Sequence, residues 1–265
     1  MCWLALAGSL LLSSGAPAAD NQLTAQENAG GWKLLFDGKT YAGWEDPTKK
    51  SPPGDSFAIE DGCLKAIPHP KIEEDLFSAR TFGDFELLFD WKISPRGNSG
   101  LKYRIQDRVF LLEVKPPKFE DQVNAALKDR RSDRPAKGQE YVIGFEYQIT
   151  DNAANLDARL NGALHQTAAL YDMFAPSKDA TRPVGEFNHS RLLVKGAHIE
   201  HWLNGEKVVD ASLKAPEVAQ SVARRWGEGS PVYRLLVDQP RKSCQISLQN
   251  HGDAAWFKNI RIREL

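Results

Sequence analysis

The chain of 265 residues contains 34 basic and 35 acidic residues, for a formal charge of −1, and 42% of its residues are hydrophobic. This length and hydrophobic share are enough to bury a large core in a single domain. Because the charges are so nearly balanced, the protein has no net positive field that would attract a polyanion. This argues against nucleic acid as a partner and favours a neutral one.

Residues 1–19 are predicted to form a signal peptide. The apolar run LALAGSLLLSSG is followed by small residues that resemble a signal peptidase site, although no Lys or Arg precedes the run. The run is too short to span a bilayer, and Cys2 lies too early for a lipoprotein cleavage box. We therefore expect an exported protein, periplasmic or secreted, without a membrane anchor.

The rest of the chain is predicted to be one domain at residues 32–265, preceded by a flexible lead-in at 20–31 that is polar and lacks periodicity. Two cysteines, Cys63 and Cys244, remain after the leader. They form either a disulfide or two buried thiols, and the sequence favours neither. No Cys and His spacing indicates a zinc site.

The clearest strand runs over residues 85–93, where apolar residues alternate with mostly polar ones. Residues 101–105 repeat this pattern. Their odd-numbered residues are apolar and are expected to face inward, which leaves Lys102 and Arg104 on the outer face. Both strands therefore have one apolar and one polar face.

A second informative strand covers residues 141–150. Its odd-numbered residues are apolar or aromatic, while Gly144, Glu146 and Gln148 share the other face. A glycine inside a strand permits the close approach of a ligand or another chain segment. This face is predicted to form the floor of a site.

Two dipeptides predict tight hairpin turns, Asp61-Gly62 and Asn204-Gly205, because these residues tolerate the positive φ that such turns require. The second lies in a predicted three-stranded meander at 186–210. Further short β runs are predicted in the ranges 32–36, 245–250 and 256–262, and a helix is predicted at 216–225.

Residues 107–139 interrupt the β pattern with a charged insertion, helical around 121–131. Such an excursion either walls a cleft at one rim of a sandwich or is a solvated decoration.

Strands with apolar inner faces imply two sheets packed about 10 Å apart, with a polar outer face left free for a ligand. Six residues are expected to converge there if that sheet is concave: Lys102, Arg104, Glu146, Gln148, Gln249 and His251. His201 shares the parity of Ile199 and Leu203, so it is either a core histidine or a site residue. Trp202 lies on the opposite face of the same strand.

Several enzyme templates are missing from the sequence. It has no strand with two spaced carboxylates for a glycosidic bond, no Gly-x-Ser-x-Gly elbow, no phosphate-cradling loop and no His-Glu-x-x-His. A retaining glycosidase of the two-carboxylate kind is therefore disfavoured. A mechanism with a single base and hydrogen-bond donors remains open.

Six segments in order carry a family resemblance: LLFDGKTYAGW, FELLFDWKISPRGNSGLKYRI, FEYQITDN, ALYDMF, GEFNHSRLLVKGAHIEHWLNGEKVV and ISLQNHGDAAWFKNIRIREL. Together they resemble the 3-keto-disaccharide hydrolase family over residues 32–265. The departures are the insertion at 107–139 and Phe187, where the family more often has Trp. The resemblance implies an all-β, concanavalin-like jelly-roll sandwich of two antiparallel sheets, here with a small helical insertion.

The resemblance also implies activity on sugars oxidised at C3. A C3 ketone acidifies the C2 hydrogen, so a modest base forms an enolate that expels the C1 substituent, and water then adds. Glu146 and His251 are the predicted base and acid, in either order, with Lys102, Arg104 and Gln148 as oxyanion donors.

The remaining predicted substrate-binding residues would hold hydroxyls or stack on the sugar: Tyr171, Glu186, Asn188, His201, Trp202 and Gln249. In the alternative interpretation, Glu186 and Asn188 only cap turns, and Glu146 pairs with Arg104 across strands.

No ligand spacing supports a metal, so no cofactor is assigned, although a divalent cation would stabilise an enolate. The competing hypothesis is a non-catalytic carbohydrate-binding module. The density of titratable groups on one face favours the enzyme. The sequence leaves the oligomeric state open.

Overall fold

The computed structural model describes residues 19–46, 55–111, 119–129 and 137–265. The predicted signal peptide therefore lies, but for its last residue, outside the described residues. Within these ranges, no helix has the length and apolar character needed to cross a membrane.

Two β-sheets form the body of the protein. Strands are numbered in chain order, and the first sheet contains β1 (Lys33–Leu34), β3 (Phe57–Glu60), β4 (Cys63–Ala66), β7 (Phe85–Ile93), β10 (Asn188–Lys195), β11 (His198–Leu203), β12 (Glu206–Ser212) and β14 (Ala255–Glu264). Their order is β12-β11-β10-β7-β14-β4-β3, with β1 also paired to β14.

The second sheet contains β2 (Trp44–Glu45), β5 (Ile72–Glu73), β6 (Leu76–Ser78), β8 (Asn98–Leu111), β9 (Gly138–Thr150) and β13 (Ser247–Leu248), in the order β2-β6-β13-β8-β9-β5. The pairing of β5 with β9 is parallel, and the other pairings among the described strands are antiparallel. The helices are α1 (Ala25–Ala29), α2 (Phe119–Lys128), α3 (Leu156–Asn161), α4 (Pro216–Trp226) and α5 (Pro231–Tyr233). A 3₁₀ turn (Gly162–His165) follows α3 and a π turn (Arg234–Asp238) follows α5.

The core lies between the sheets, as the alternation predicts. Phe85, Leu87, Phe89, Trp91 and Ile93 of β7 are all buried in it. They face the buried odd-numbered residues of β9, and the ring centroids of Phe89 and Tyr147 lie 5.5 Å apart. The predicted jelly-roll β-sandwich with a small helical insertion is confirmed.

Both predicted hairpin turns are confirmed. Asp61 and Gly62 have φ values of 51° and 72°, and Asn204 and Gly205 have φ values of 50° and 87°. These left-handed pairs match a type I′ turn, whose twist fits the twist of the flanking strands.

A β-bulge in β8 changes the outer face of the second sheet. The register with β9 breaks between Tyr103 and Asp107, and Arg104 has a φ of 51°. Ile105 consequently packs with Phe77 in a cluster separate from the main core, so its predicted inward position is wrong.

Gly144 accommodates this bulge. A Cβ at Gly144 would lie 3.1 Å from the carbonyl oxygen of Tyr103 and 3.2 Å from Cα of Ile105. The close approach that a glycine permits here is therefore to another chain segment.

The lead-in at 20–31 differs from the expected flexible segment. It forms α1, which begins with a capping box between Thr24 and Glu27, and the Glu27 carboxylate lies 2.8 Å from the Arg261 guanidinium. The backbone N–H of Asn21 also donates to Asn259 Oδ1 at 2.6 Å. Polar side chains hold this segment against the body of the domain. Its sequence therefore shows no apolar periodicity, although the segment is ordered.

The helical insertion is shorter than predicted, because β8 extends to Leu111 and β9 begins at Gly138. Residues 112–118 and 130–136 lie outside the described residues. Helix α2 buries Val123 and Ala126 against the body. Both cysteines, Cys63 and Cys244, are buried free thiols.

Candidate functional site

The outer face of the second sheet carries a buried cluster of charges. Lys102 on β8 pairs directly with Glu146 on β9, and with Ser247 on β13. Because all three side chains have outward parity, they meet above the sheet. Gln249, two residues beyond Ser247, joins them as predicted.

Lys102 and Glu146 form a buried ion pair. Lys102 Nζ lies 4.0 Å from Glu146 Oε2, with only 5% and 15% of the two side chains exposed. The ammonium also donates to the Val142 carbonyl at 3.5 Å and lies 5.2 Å from the ring centroid of Tyr141. With its amide oriented to satisfy both partners, Gln249 accepts from Lys102 Nζ at 3.2 Å and donates to Glu146 Oε1 at 3.3 Å.

This environment shifts the ionisation of both groups. Burial raises the pKa of Glu146, and the nearby Asp75 carboxylate adds to this, while Lys102 opposes it. Burial lowers the pKa of Lys102, but the attraction of Asp75 and Glu146 is larger in sum and leaves the pKa raised. The site therefore combines the Glu146 carboxylate, which is more basic than usual, with a Lys102 ammonium that stays protonated.

Two further buried acids, Asp75 and Glu140, adjoin the cluster and were not predicted from the sequence. Asp75 accepts from Ser247 Oγ at 2.8 Å, and its backbone N–H donates to Glu140 Oε2 at 3.0 Å. Burial raises the pKa of Asp75, and it raises the pKa of Glu140 to about 8 although Arg108 forms an ion pair with this carboxylate. Asp75 and Glu146 thus share the buried Lys102 ammonium, while Glu140 is paired with Arg108.

A hollow of about 190 Å³ opens over the cluster. Its walls include Lys102, Gln249, Phe119, Arg225 and His251. His251 is exposed at the edge, where a substrate would first meet it. Phe119 begins α2, so the insertion walls this hollow on one side, in agreement with the first of its two predicted roles.

Glu146 lies in a smaller adjoining hollow of about 30 Å³, which shares Tyr141 and Arg225 with the first. Tyr171 lines it too, and its hydroxyl donates to Asp157 Oδ2 at 3.0 Å. Tyr171 therefore stands beside Glu146 as predicted, with its hydroxyl already engaged.

Gln148 and Arg104 do not reach this site. Gln148 is 1% exposed, because residues 168–169 pair with its backbone and cover it, and its side-chain oxygen accepts from the N–H of Ile149. The bulge moves Arg104 to one end of the sandwich, where it pairs with Asp84. Neither donor can assist Glu146, and the alternative pairing of Glu146 with Arg104 does not occur.

Glu186 and Asn188 line a separate cleft of about 460 Å³ at the rim. Asn188 Oδ1 accepts from the N–H of Arg182 and from Asn204 Nδ2, both at 2.8 Å. Asn188 thus fastens the turns around it, in agreement with the alternative interpretation, and both residues lie away from Glu146.

His201 and Trp202 also lie elsewhere. His201 is fully buried between the sheets, bonded to the Tyr103 hydroxyl at 3.0 Å and the Ala168 carbonyl at 2.9 Å, and burial lowers its pKa to about 4. It is the core histidine that its parity allowed. Trp202 lies on the outer face of the first sheet, 4.8 Å from the Arg191 guanidinium.

One group of possible metal ligands occurs among the described residues: His198, Glu200 and Asp210, with ligand atoms within 4.8 Å of one another. It lies on the first sheet, away from Glu146. The Lys207 ammonium already bonds to Glu200 and Asp210 and supplies the positive charge there.

The fold and site define a jelly-roll β-sandwich with a cluster of buried ionisable groups on one outer face. A family model described as the 3-keto-alpha-glucoside-1,2-lyase-like domain matches residues 31–263. The chain belongs to this family.

A curated relative and two solved structures agree with this assignment. A 3-keto-disaccharide hydrolase from Bacteroides thetaiotaomicron is 30% identical over 250 residues, covering 90% of this chain and 80% of the relative. A structure from Parabacteroides distasonis, described as a candidate glycosyl hydrolase, is 26% identical with a TM-score of 0.68, covering 93% of this chain and 100% of that one. A second structure from the same organism, at 22% identity and a TM-score of 0.57, shares the fold over 88% of this chain and 99% of its own.

Proposed function

We propose that the protein is a glycoside-cleaving enzyme that acts on sugars carrying a ketone at C3, such as 3-keto-glucosides. The observation that carries the proposal is the buried Glu146 carboxylate beside the Lys102 ammonium. Lys102 lines the hollow of about 190 Å³, and Glu146 lines the small hollow that adjoins it. Family membership and the 3-keto-disaccharide hydrolase relative support the substrate class.

In the first step Glu146 removes the proton from C2 of the keto sugar. The C2–H electron pair forms the enolate, whose negative charge develops on the C3 oxygen. Lys102 supplies a fixed positive charge for this oxyanion, and the Gln249 amide contacts both groups. The raised pKa of Glu146 suits it to this step, because an ordinary carboxylate is a weaker base.

In the second step the enolate electrons form the C1–C2 double bond as the C1–O bond breaks. The leaving oxygen needs a proton, and His251 at the open edge of the hollow is the proposed donor. Water then adds across the double bond, which returns a free keto sugar. The chemistry needs one base and one acid rather than two opposed carboxylates.

The test is product release by the purified protein from a 3-keto-glucoside and from its unoxidised parent. The proposal predicts release from the keto sugar alone, because only the ketone acidifies C2. Equal release from both sugars would contradict it. Tight binding without release from either would favour the carbohydrate-binding module.

A further inference from the structure

A further cavity, of about 580 Å³, lies at one end of the sandwich. Its size falls in the range of about 300–1,000 Å³ that small-molecule sites occupy. It is bordered by the turn between β10 and β11, the segment that enters α4, and residues 236–242. Among the described residues, it shares none of its lining with the hollow over Lys102, while Phe145 and Leu236 also line the small hollow that holds Glu146.

The bulge in β8 builds one wall of this cavity. Arg104, in the left-handed conformation with a φ of 51°, is turned away from Lys102 and lines the cavity instead. A non-glycine residue held in this conformation is strained, and bulges commonly re-aim a side chain. The strained backbone conformation at Arg104 therefore directs its side chain into the cavity.

Gln106 ties the opposite wall to the bulge. Its side-chain amide donates to the Arg104 carbonyl at 2.7 Å and to the Arg241 carbonyl at 3.0 Å. Its oxygen accepts from the backbone N–H of Arg241 at 2.6 Å. Gln106 thus holds the backbone at Arg104 and the backbone at Arg241 in fixed positions on two sides of the cavity.

The Arg104 guanidinium is incompletely paired. The residue is 4% exposed, and its Nη2 donates to Asp84 Oδ1 at 3.2 Å and to the Gly196 carbonyl at 3.0 Å. Its Nη1 is buried and has no hydrogen-bond partner among the described residues. A buried donor left without an acceptor is unfavourable, and an acceptor on a ligand would relieve this.

The charge and polarity of the cavity narrow the ligand class. Lys214, Arg241 and Lys242 are exposed around it and form no ion pair with a described residue, while Asp238 is the acidic residue of its lining. The rest of the wall is mostly apolar: Phe145, Leu213, Ala215, Ala219, Leu236 and Val237.

We propose that this cavity binds a small carboxylate-bearing molecule with an apolar body. The carboxylate accepts from Arg104, whose planar donors match carboxylate geometry, and the body packs against Phe145 and Leu236. A monoanion suits this site, because Asp84 already pairs with the Arg104 guanidinium and a dianion would bring two further negative charges into an apolar space. The proposal stands independently of the chemistry at Glu146.

Calorimetric titration with 2-naphthoate tests the proposal, with 2-naphthamide as an uncharged molecule of the same shape. Naphthoate is expected to bind at least tenfold more tightly than the amide. Arg104→Gln should weaken naphthoate binding at least tenfold. The matched control Arg80→Gln, at an exposed arginine paired with Glu264, should leave it unchanged.

Ala219→Phe provides a variant that leaves Arg104 in place, in case Arg104→Gln does not fold. The added ring occupies the cavity, so naphthoate binding should be lost while Arg104 keeps its contacts with Asp84. The proposal is overturned if the native protein does not bind naphthoate, if the amide binds equally well, or if Ala219→Phe binds naphthoate like the native protein.

Discussion

Lys102 and Glu146 face each other across neighbouring strands, with the ammonium nitrogen 4.0 Å from the carboxylate, and both are buried. Lys102 lines the hollow of about 190 Å³, and Glu146 lines the smaller hollow beside it. Removing two charges from water is costly, and a well-packed apolar pair would often be at least as stable. Their position on an outer face, where burial is not imposed by the core, supports the proposed function.

Replacement of this carboxylate gives the first prediction. Glu146→Gln keeps the shape of the side chain and removes the base, so kcat on a 3-keto-glucoside should fall by about 10² to 10⁴-fold. Steady-state kinetics measures this, with circular dichroism to confirm folding. Glu60→Gln, an exposed carboxylate paired with Lys65 on the first sheet, is the control and should keep full activity. Full turnover by folded Glu146→Gln would remove this residue from the mechanism.

Removal of the ammonium gives a prediction about pH. Lys102 lowers the pKa of Glu146 against the larger effect of burial, so Lys102→Met should raise that pKa further. Since a base works only when deprotonated, activity is lost as the pH falls through its pKa. The acid limb of the kcat/KM profile should therefore move to higher pH in the variant. An unmoved or lowered limb would show that Lys102 does not act on the titrating group.

Gly100 lies beneath the carboxylate and gives a steric prediction. A Cβ at Gly100 would stand 2.4 Å from Glu146 Oε1, so Gly100→Ala must displace the base. Activity should fall at least tenfold because misplacing a catalytic group by about 1 Å can cost about 10²-fold.

Gly83→Ala is the matched control, because nothing lies within 4 Å of the added Cβ and the position has no positive φ. This variant should keep full activity. Equal kinetics for the two alanine variants would show that the position of Glu146 does not matter.

The loop beside Tyr171 should make stability depend on pH. His165 bonds to Asp157 at 2.9 Å and to Asp172 at 3.4 Å. Burial alone would lower its pKa, but the two carboxylates raise it to about 9.

Since the folded pKa of His165 exceeds its unfolded value of about 6.5, the stabilisation is complete below pH 6.5 and is lost as the pH rises through 9. His165→Gln should therefore lower the free energy of unfolding by on the order of 2 kcal/mol at pH 6 and by much less at pH 10. Urea titrations at both pH values measure this. A destabilisation of the same size at both values would contradict the charged pairing.

Periodicity in the sequence was sufficient to predict the sheets and part of the site. Alternation in β7 and β9 identified the core face, and the same parity placed Lys102, Glu146 and Gln249 together. Turn chemistry at Asn204-Gly205 gave the meander. Alternation along a strand and turn-forming dipeptides both depend on residues that are close in sequence, so they can be recognised from the sequence alone.

The errors arise where pairing between strands decides the outcome. The bulge at Arg104 is a mismatch between β8 and β9, so strict alternation wrongly kept that arginine beside Lys102. Asp75 and Glu140 lie 65 residues apart and meet only through the fold. The acidic run Glu73-Glu74-Asp75, which begins at the last residue of β5, was the available signal for Asp75.

Hydrogen exchange at C2 tests the central claim most directly. The native protein would be incubated with a 3-keto-glucoside in deuterium oxide, and the recovered substrate and the product would be analysed for deuterium at C2. The account predicts deuterium at C2 in the product, and loss of both exchange and release in Glu146→Gln. Product that forms at full rate with its original C2 hydrogen would contradict proton abstraction by Glu146.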